Sequence, residues 1–216
     1  MATRAELEAK LAEALGKVHQ EALDAILKAL GDPPKIEHVT QAMWDEIATK
    51  YRSVFVPILT EIFLSGVQEI LDTLGGGVDW AAFNTRAADW ASSYSFELVR
   101  GINDTSREAL QKAVSDFYTH NLTMDDLRTR LTATFGPVRA DLIAVTETTR
   151  AKVEGDRALT DELKKQGAQL TGIIETSMDD RVCTVCGPKQ GKDPETEGYP
   201  PFHVYCRCYV NYTPAV

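Results

Sequence analysis

Apolar side chains recur every three or four residues over the first 166 positions, the spacing that lines one face of a helix. Thr3 and Glu6 are spaced as a capping box, and Leu7, Leu11, Leu15, Val18, Ala22, Ile26 and Leu30 share one face until Gly31 and the prolines behind it end the segment. A second series starts near Thr40, carries Trp44, Tyr51, Phe55, Ile62, Val67 and Leu74, and stops at Gly75, Gly76 and Gly77. Pro57 falls inside it and is expected to kink or split the helix, because its ring crowds the preceding turn and it has no N–H to donate.

Asp79 is placed to cap a third helix presenting Trp80, Phe83, Ala87, Trp90, Tyr94 and Leu98 on one side. Thr105 and Glu108 read as a new capping box, so a separate helix is expected to begin there and run through Leu110, Val114 and Phe117. Thr123 caps a short helix through Leu127 and Leu131 that closes at Phe135 and Gly136, and Pro137 suits the first turn of the next, which runs to about Gln166. At this spacing Trp44, Trp80 and Trp90 are bundle core or subunit contacts rather than a ligand pocket. His19, His38 and His120 stand alone and receive no role.

After Gly167 the periodicity changes from helical to alternating. QLTGIIETS and HVYCRCYVNYT read as short strands between loops rich in Gly, Pro and Asp. In the second, Val204, Cys206, Cys208, Val210 and Tyr212 are expected on one face and Tyr205, Arg207, Tyr209 and Asn211 on the other. The fold class is therefore mainly α, a helical bundle followed by a small α+β module with a short β-hairpin. The division is expected at residue 136, giving a helical region over 1–136 and a C-terminal module over 137–216.

Composition adds boundaries. With 44% hydrophobic and 25% charged residues, the chain of 216 residues is neither disordered nor collagen-like. The amino terminus has no signal-peptide pattern, and the richest apolar run, VFVPILTEIFLSGV, is broken by Pro57 and Glu61, short of the roughly 20 residues of a membrane span. Synthesis in a cytoplasm, with no membrane partner, is the expectation. The net charge is −9; residues 139–216 hold ten Lys+Arg against twelve Asp+Glu, which places −7 on residues 1–138. A nucleic-acid-binding domain normally carries a basic surplus, and this chain does not.

All four cysteines, Cys183, Cys186, Cys206 and Cys208, lie in the last 34 residues with His203 among them. Reduced, clustered thiols point to metal before disulfides. Cys183 and Cys186 form a C-x2-C knuckle, and His203 and Cys206 repeat the spacing, so two tight turns can present four donors to one tetrahedral zinc. Cys206 and Cys208 would stand about 6.5 Å apart along an extended strand, which favours Cys183, Cys186, His203 and Cys206 as ligands, with the four cysteines as the rival set. Neither H-x-E with P-C-x-x-C nor H-E-x-x-H is present, so catalytic zinc is not expected; a Cys206–His203 nucleophile pair, metal-free packing of the thiols and a redox disulfide remain as alternatives. Glu147 and Arg150 share a helix face, and with Asp180 and Arg181 could form a charged network that clamps the tail; the alternative is two solvated ion pairs.

Taken in order, Thr146-Glu147 on a helix, Asp180 and Arg181 before Cys183 and Cys186, and then Pro201, His203, Cys206, Arg207 and Cys208 form a pattern that resembles the head morphogenesis family of tailed phages typified by the Mu F-like minor head proteins. The resemblance covers roughly the last 80 residues; Val204-Tyr205 stands where that family often has Pro-Asn. It implies a structural virion component, not an enzyme, with no small-molecule substrate. Its place would be the portal region or the capsid interior, in few copies, with exit alongside the DNA as one expected fate. With it, Thr146, Glu147, Arg150, Asp180, Arg181 and Arg207 are read as a structural network, beside the structural zinc that the knuckle spacing itself indicates. Portal protein, major capsid protein or both are the implied partners, with packaged DNA as a further contact. Some relatives carry a toxin domain after this module, and none is expected in a chain ending at Val216. Two other classes compete: a hydrolase or toxin using the Cys/His corner, and a zinc-ribbon nucleic-acid binder.

Overall fold

The computed structural model describes residues 2–176 and 182–215. Five long helices precede a small sheet: α1 (Arg4–Leu30), α2 (Gln41–Leu74), α3 (Trp80–Thr119), α4 (Met124–Phe135) and α5 (Pro137–Lys165), then β1 (Leu170–Glu175), a single-turn α6 (Pro194–Glu197) and β2 (Tyr209–Pro214). This is the mainly α bundle with a small C-terminal β unit that the periodicity indicates.

Helix ends lie where the local chemistry puts them. The Thr3–Glu6 box forms in both directions, Thr40 and Asp79 accept from the first free N–H groups of α2 and α3, and Thr123 forms a reciprocal box with Asp126. Gly31 and Gly75 end α1 and α2 at φ 74° and 75°, a region that costs a side chain-bearing residue strain.

Two expectations are corrected. Pro57 does not split α2, which runs through it for 34 residues. The proline sits on the exposed face while Phe55, Ile58 and Leu59 on either side of it are buried, so packing holds the helix through the missing donor. Nor does a helix begin at Thr105: α3 continues for 40 residues, and the Thr105 hydroxyl donates back to the Gly101 carbonyl one turn earlier instead of capping.

The main core draws Leu11, Leu15 and Ile26 of α1, Tyr51, Phe55 and Ile62 of α2, and residues of α3, α4 and α5. Residues 137–165 share it through Ala140, Ala144 and Ala151, so packing runs across residue 136. Trp44 is buried and Trp90 is packed against the core, whereas Trp80 is 38% exposed. α2 alone among the described helices is long and apolar enough to cross a membrane, and half of its most apolar window is buried inside the bundle.

α2 and α5 cross closely because two glycines permit it. A Cβ on Gly155 would stand 2.0 Å from the Phe63 carbonyl oxygen, and one on Gly66 would stand 2.5 Å from the Lys152 carbonyl oxygen. Beside this crossing a second core joins Phe63, Val67 and Leu159 to Val210 and Tyr212 of β2. The antiparallel β1–β2 pair, registered Gly172 to Tyr212 and Ile174 to Val210, is thereby fastened to the bundle. The residues that separate the two strands in sequence carry the cysteine corner.

Candidate metal centre

Two turns, one on each side of the β1–β2 linker, bring the five donors together. In the first, the Cys186 N–H points at the Cys183 sulfur (3.4 Å) and the Gly187 N–H donates to the Cys183 carbonyl (3.0 Å), so both thiols of the C-x2-C project to one side. In the second, the Cys206 N–H donates to the His203 carbonyl and Tyr205 takes φ 68°, reversing the chain between His203 and Cys206.

The imidazole is oriented for ligation. His203 Nδ1 lies 2.7 Å from the Val204 carbonyl and so carries the proton, leaving the Nε2 lone pair free. Nε2 is 3.1 Å from Cys183 Sγ and 3.0 Å from Cys186 Sγ, and Cys186 Sγ is 3.8 Å from Cys206 Sγ. The donors form two triads, Cys183–Cys186–His203 and Cys186–Cys206–Cys208, each with all its ligand atoms within 4.8 Å of one another. This cluster could bind a metal ion.

The strand argument that set Cys208 apart is thereby corrected. β2 begins only at Tyr209, Cys206 follows a tight turn instead of lying in an extended strand, and the Cys206 and Cys208 sulfurs meet in the same triad. The alternation itself holds from Cys206 onward, with Cys206, Cys208, Val210 and Tyr212 buried and Arg207, Tyr209 and Asn211 exposed; Val204, expected on the buried face, is exposed.

Electrostatics separate the thiols. The Cys206 thiol, hydrogen-bonded by Cys208, is held down at about 5, and Cys208 is pushed up by the same contact. Burial raises Cys186 to about 12, whereas the Cys186 N–H lowers Cys183. The Val204 carbonyl raises His203. Cys206 is thus the thiol most ready to act as a thiolate donor.

The corner is clamped to the bundle through the backbone of its second turn. The Tyr205 N–H donates to Thr146 Oγ1 (2.8 Å) and the Thr149 hydroxyl donates to the Cys206 carbonyl (2.5 Å). From α1, Arg4 donates to the Arg207 carbonyl (3.1 Å) and to Thr149, while Glu8 accepts from both Arg4 (2.9 Å) and Arg207 (3.0 Å). Arg207 also lies over the Tyr205 ring at 4.4 Å.

Of the expected network, Thr146 and Arg207 belong to this clamp. Glu147 and Arg150 do pair, at 3.2 Å, but they serve the bundle: buried Glu147 accepts from the Tyr94 hydroxyl of α3 at 2.6 Å, and Arg150 covers the Tyr94 ring. Burial raises the Glu147 carboxyl above its usual range. Asp180 and Arg181 lie outside the described residues. Arg4, Glu8 and Thr149 are participants that motif spacing does not single out; only Thr149, three residues after Thr146 on the same helix face, carries a local signal.

A cleft of about 500 Å3 opens beside the cluster, lined by Thr176, Val182, Cys183, Cys186, His203, Tyr205, Arg207 and Cys208. Cys186, Cys206 and Cys208 are buried. No family model, curated protein or solved structure matches the chain.

Proposed function

We propose that the chain is a minor head protein of a tailed phage, a structural and morphogenesis component of the Mu F-like kind. In this reading its C-terminal module is stapled by zinc and docked on a helical bundle. One observation carries it: Thr146, the two Cys/His knuckles and Arg207 of the motif series come together at one corner of the bundle. The two knuckles converge, and the Thr146–Thr149 face of α5 holds the turn that carries Cys206. Thiolates and a neutral imidazole at these separations suit Zn2+, and a structural ion contributes folding energy directly.

The acidic bundle suits protein partners, a portal or capsid subunit, better than the DNA backbone. In this role the protein sits in the capsid interior or at the portal and performs no turnover. Co-expression with the portal protein of the same phage, followed by affinity purification, tests the assignment: this chain is expected in the portal complex and in assembled heads. Its absence from purified particles would sink the assignment.

The cleft beside Cys183 and His203 favours a second reading, a hydrolase using the Cys/His corner. His203 Nε2 faces the Cys183 and Cys186 sulfurs together, as a fellow ligand would, and a thiolate bound to metal is no longer a free nucleophile, so the structural reading is preferred.

A further inference from the structure

We propose that the cluster holds two metal ions, one in each triad, with the Cys186 thiolate bridging them. The inference rests on the zinc-staple reading and extends it from one ion to two.

The arrangement of donors is the first argument. A single tetrahedral zinc places its sulfur ligands about 2.3 Å from the ion and so about 3.8 Å from one another. The five donors form two triangles with Cys186 as the common vertex, the ligand atoms of each lying within 4.8 Å of one another. The Cys186–Cys206 separation of 3.8 Å links the triangles at the spacing of two sulfurs on one ion.

Charge gives the second argument. Four thiolates and a neutral imidazole balance two divalent cations to zero. One ion bound by three thiolates and the imidazole leaves a net charge of −1, and one bound by four thiolates leaves −2. Cys186, Cys206 and Cys208 are at most 5% exposed, and an uncompensated charge there is costly. Arg207, which lines the same cleft, is already engaged by Glu8 and stacked on Tyr205.

The two places differ in chemistry. Cys186, Cys206 and Cys208 offer sulfur alone, buried but with Cys186 and Cys208 at the floor of the cleft, a place for a tightly held thiophilic ion whose fourth ligand comes from the cleft. Cys183, Cys186 and His203 offer mixed sulfur and nitrogen next to the cleft, where solvent can complete the coordination and a chelator can reach the ion.

Native mass spectrometry of the full chain, loaded with Zn2+ and cleared of loose metal by gel filtration, reads the stoichiometry. The expected mass is the chain plus two zinc ions, released by a chelator in a fast and a slow phase. Cys208→Ala, with its helix content checked by circular dichroism, should retain one ion. A wild-type chain with a single zinc overturns the two-ion site and leaves the staple intact; a chain with none overturns both. Two ions retained in Cys208→Ala would place the second elsewhere and also overturn the proposal. If Cys208→Ala does not fold, cadmium-113 NMR of the wild-type chain replaces it. Two resonances coupled through a shared sulfur support the bridge, and uncoupled or single resonances refute it.

Discussion

His19 lies wholly inside the bundle, its ring edge-on to Tyr51 and Phe135, with Nδ1 against the Gly136 carbonyl and Nε2 without a partner. Burial holds its imidazole down at about 4 against an ordinary 6.5. A depressed histidine is neutral in the fold, so the stability it permits is present above pH 6.5 and is lost as pH falls from 6.5 toward 4, by about 3 kcal/mol. Urea unfolding should show a steeper loss over that window in the wild type than in His19→Gln; parallel profiles would contradict this. Asp156 works in the opposite direction. Burial raises its carboxyl from 3.8 to about 7 despite Lys152 nearby, and Oδ1 has no partner. Its folded pKa is raised, so stability is lost as pH rises from 3.8 through 7. Asp156→Asn is expected to unfold at higher urea than the wild type at pH 8, with the gain fading toward pH 4. Neither group carries a sequence signal, because burial of this kind is a property of the assembled bundle.

Among the elements, the contrast between Thr123 and Thr105 shows what capping patterns can and cannot reveal. Both precede an acidic residue by three positions, but only Thr123 follows a chain reversal that leaves N–H groups free, with Asn121 at φ 52°. Thr123→Ala should cost about 1 kcal/mol, and Thr105→Ala should stay within about 0.5 kcal/mol, both by denaturant unfolding. Equal losses would mean that α3 is interrupted near residue 105. The α2–α5 crossing belongs to this scale too. Gly155→Ala forces a Cβ against the Phe63 carbonyl and is expected to lower stability by roughly 1–3 kcal/mol, read as a fall in the thermal midpoint. Helix starts and stops were legible because Thr3, Gly31, Thr40, Gly75, Asp79 and Pro137 act through bonds within one turn. The passage of α2 through Pro57 was not, since it is decided by the buried flanks of the helix.

For the molecule as a whole, the bundle and the cysteine corner are one mechanical unit. The sequence spacing found all five donors and their grouping into two knuckles. It misplaced Cys208, because the reversal at Tyr205 is set by the bonds that hold the turn to α5. It also missed the α1 side of the clamp, where Arg4 and Glu8 meet Arg207 from about 200 residues away. Such a contact leaves no local pattern. The central claim is that a metal held by the Cys/His cluster keeps residues 182–208 folded against a bundle that is stable in its own right. Amide hydrogen exchange before and after chelation of the purified chain tests it most directly. The account predicts bound metal at the start, then loss of protection over 182–208 and the first turns of α1, with protection retained in the remainder of α1 to α5 and in the β1–β2 pair. A metal-free chain whose tail is already fully protected, or a tail unchanged by chelation, would contradict it.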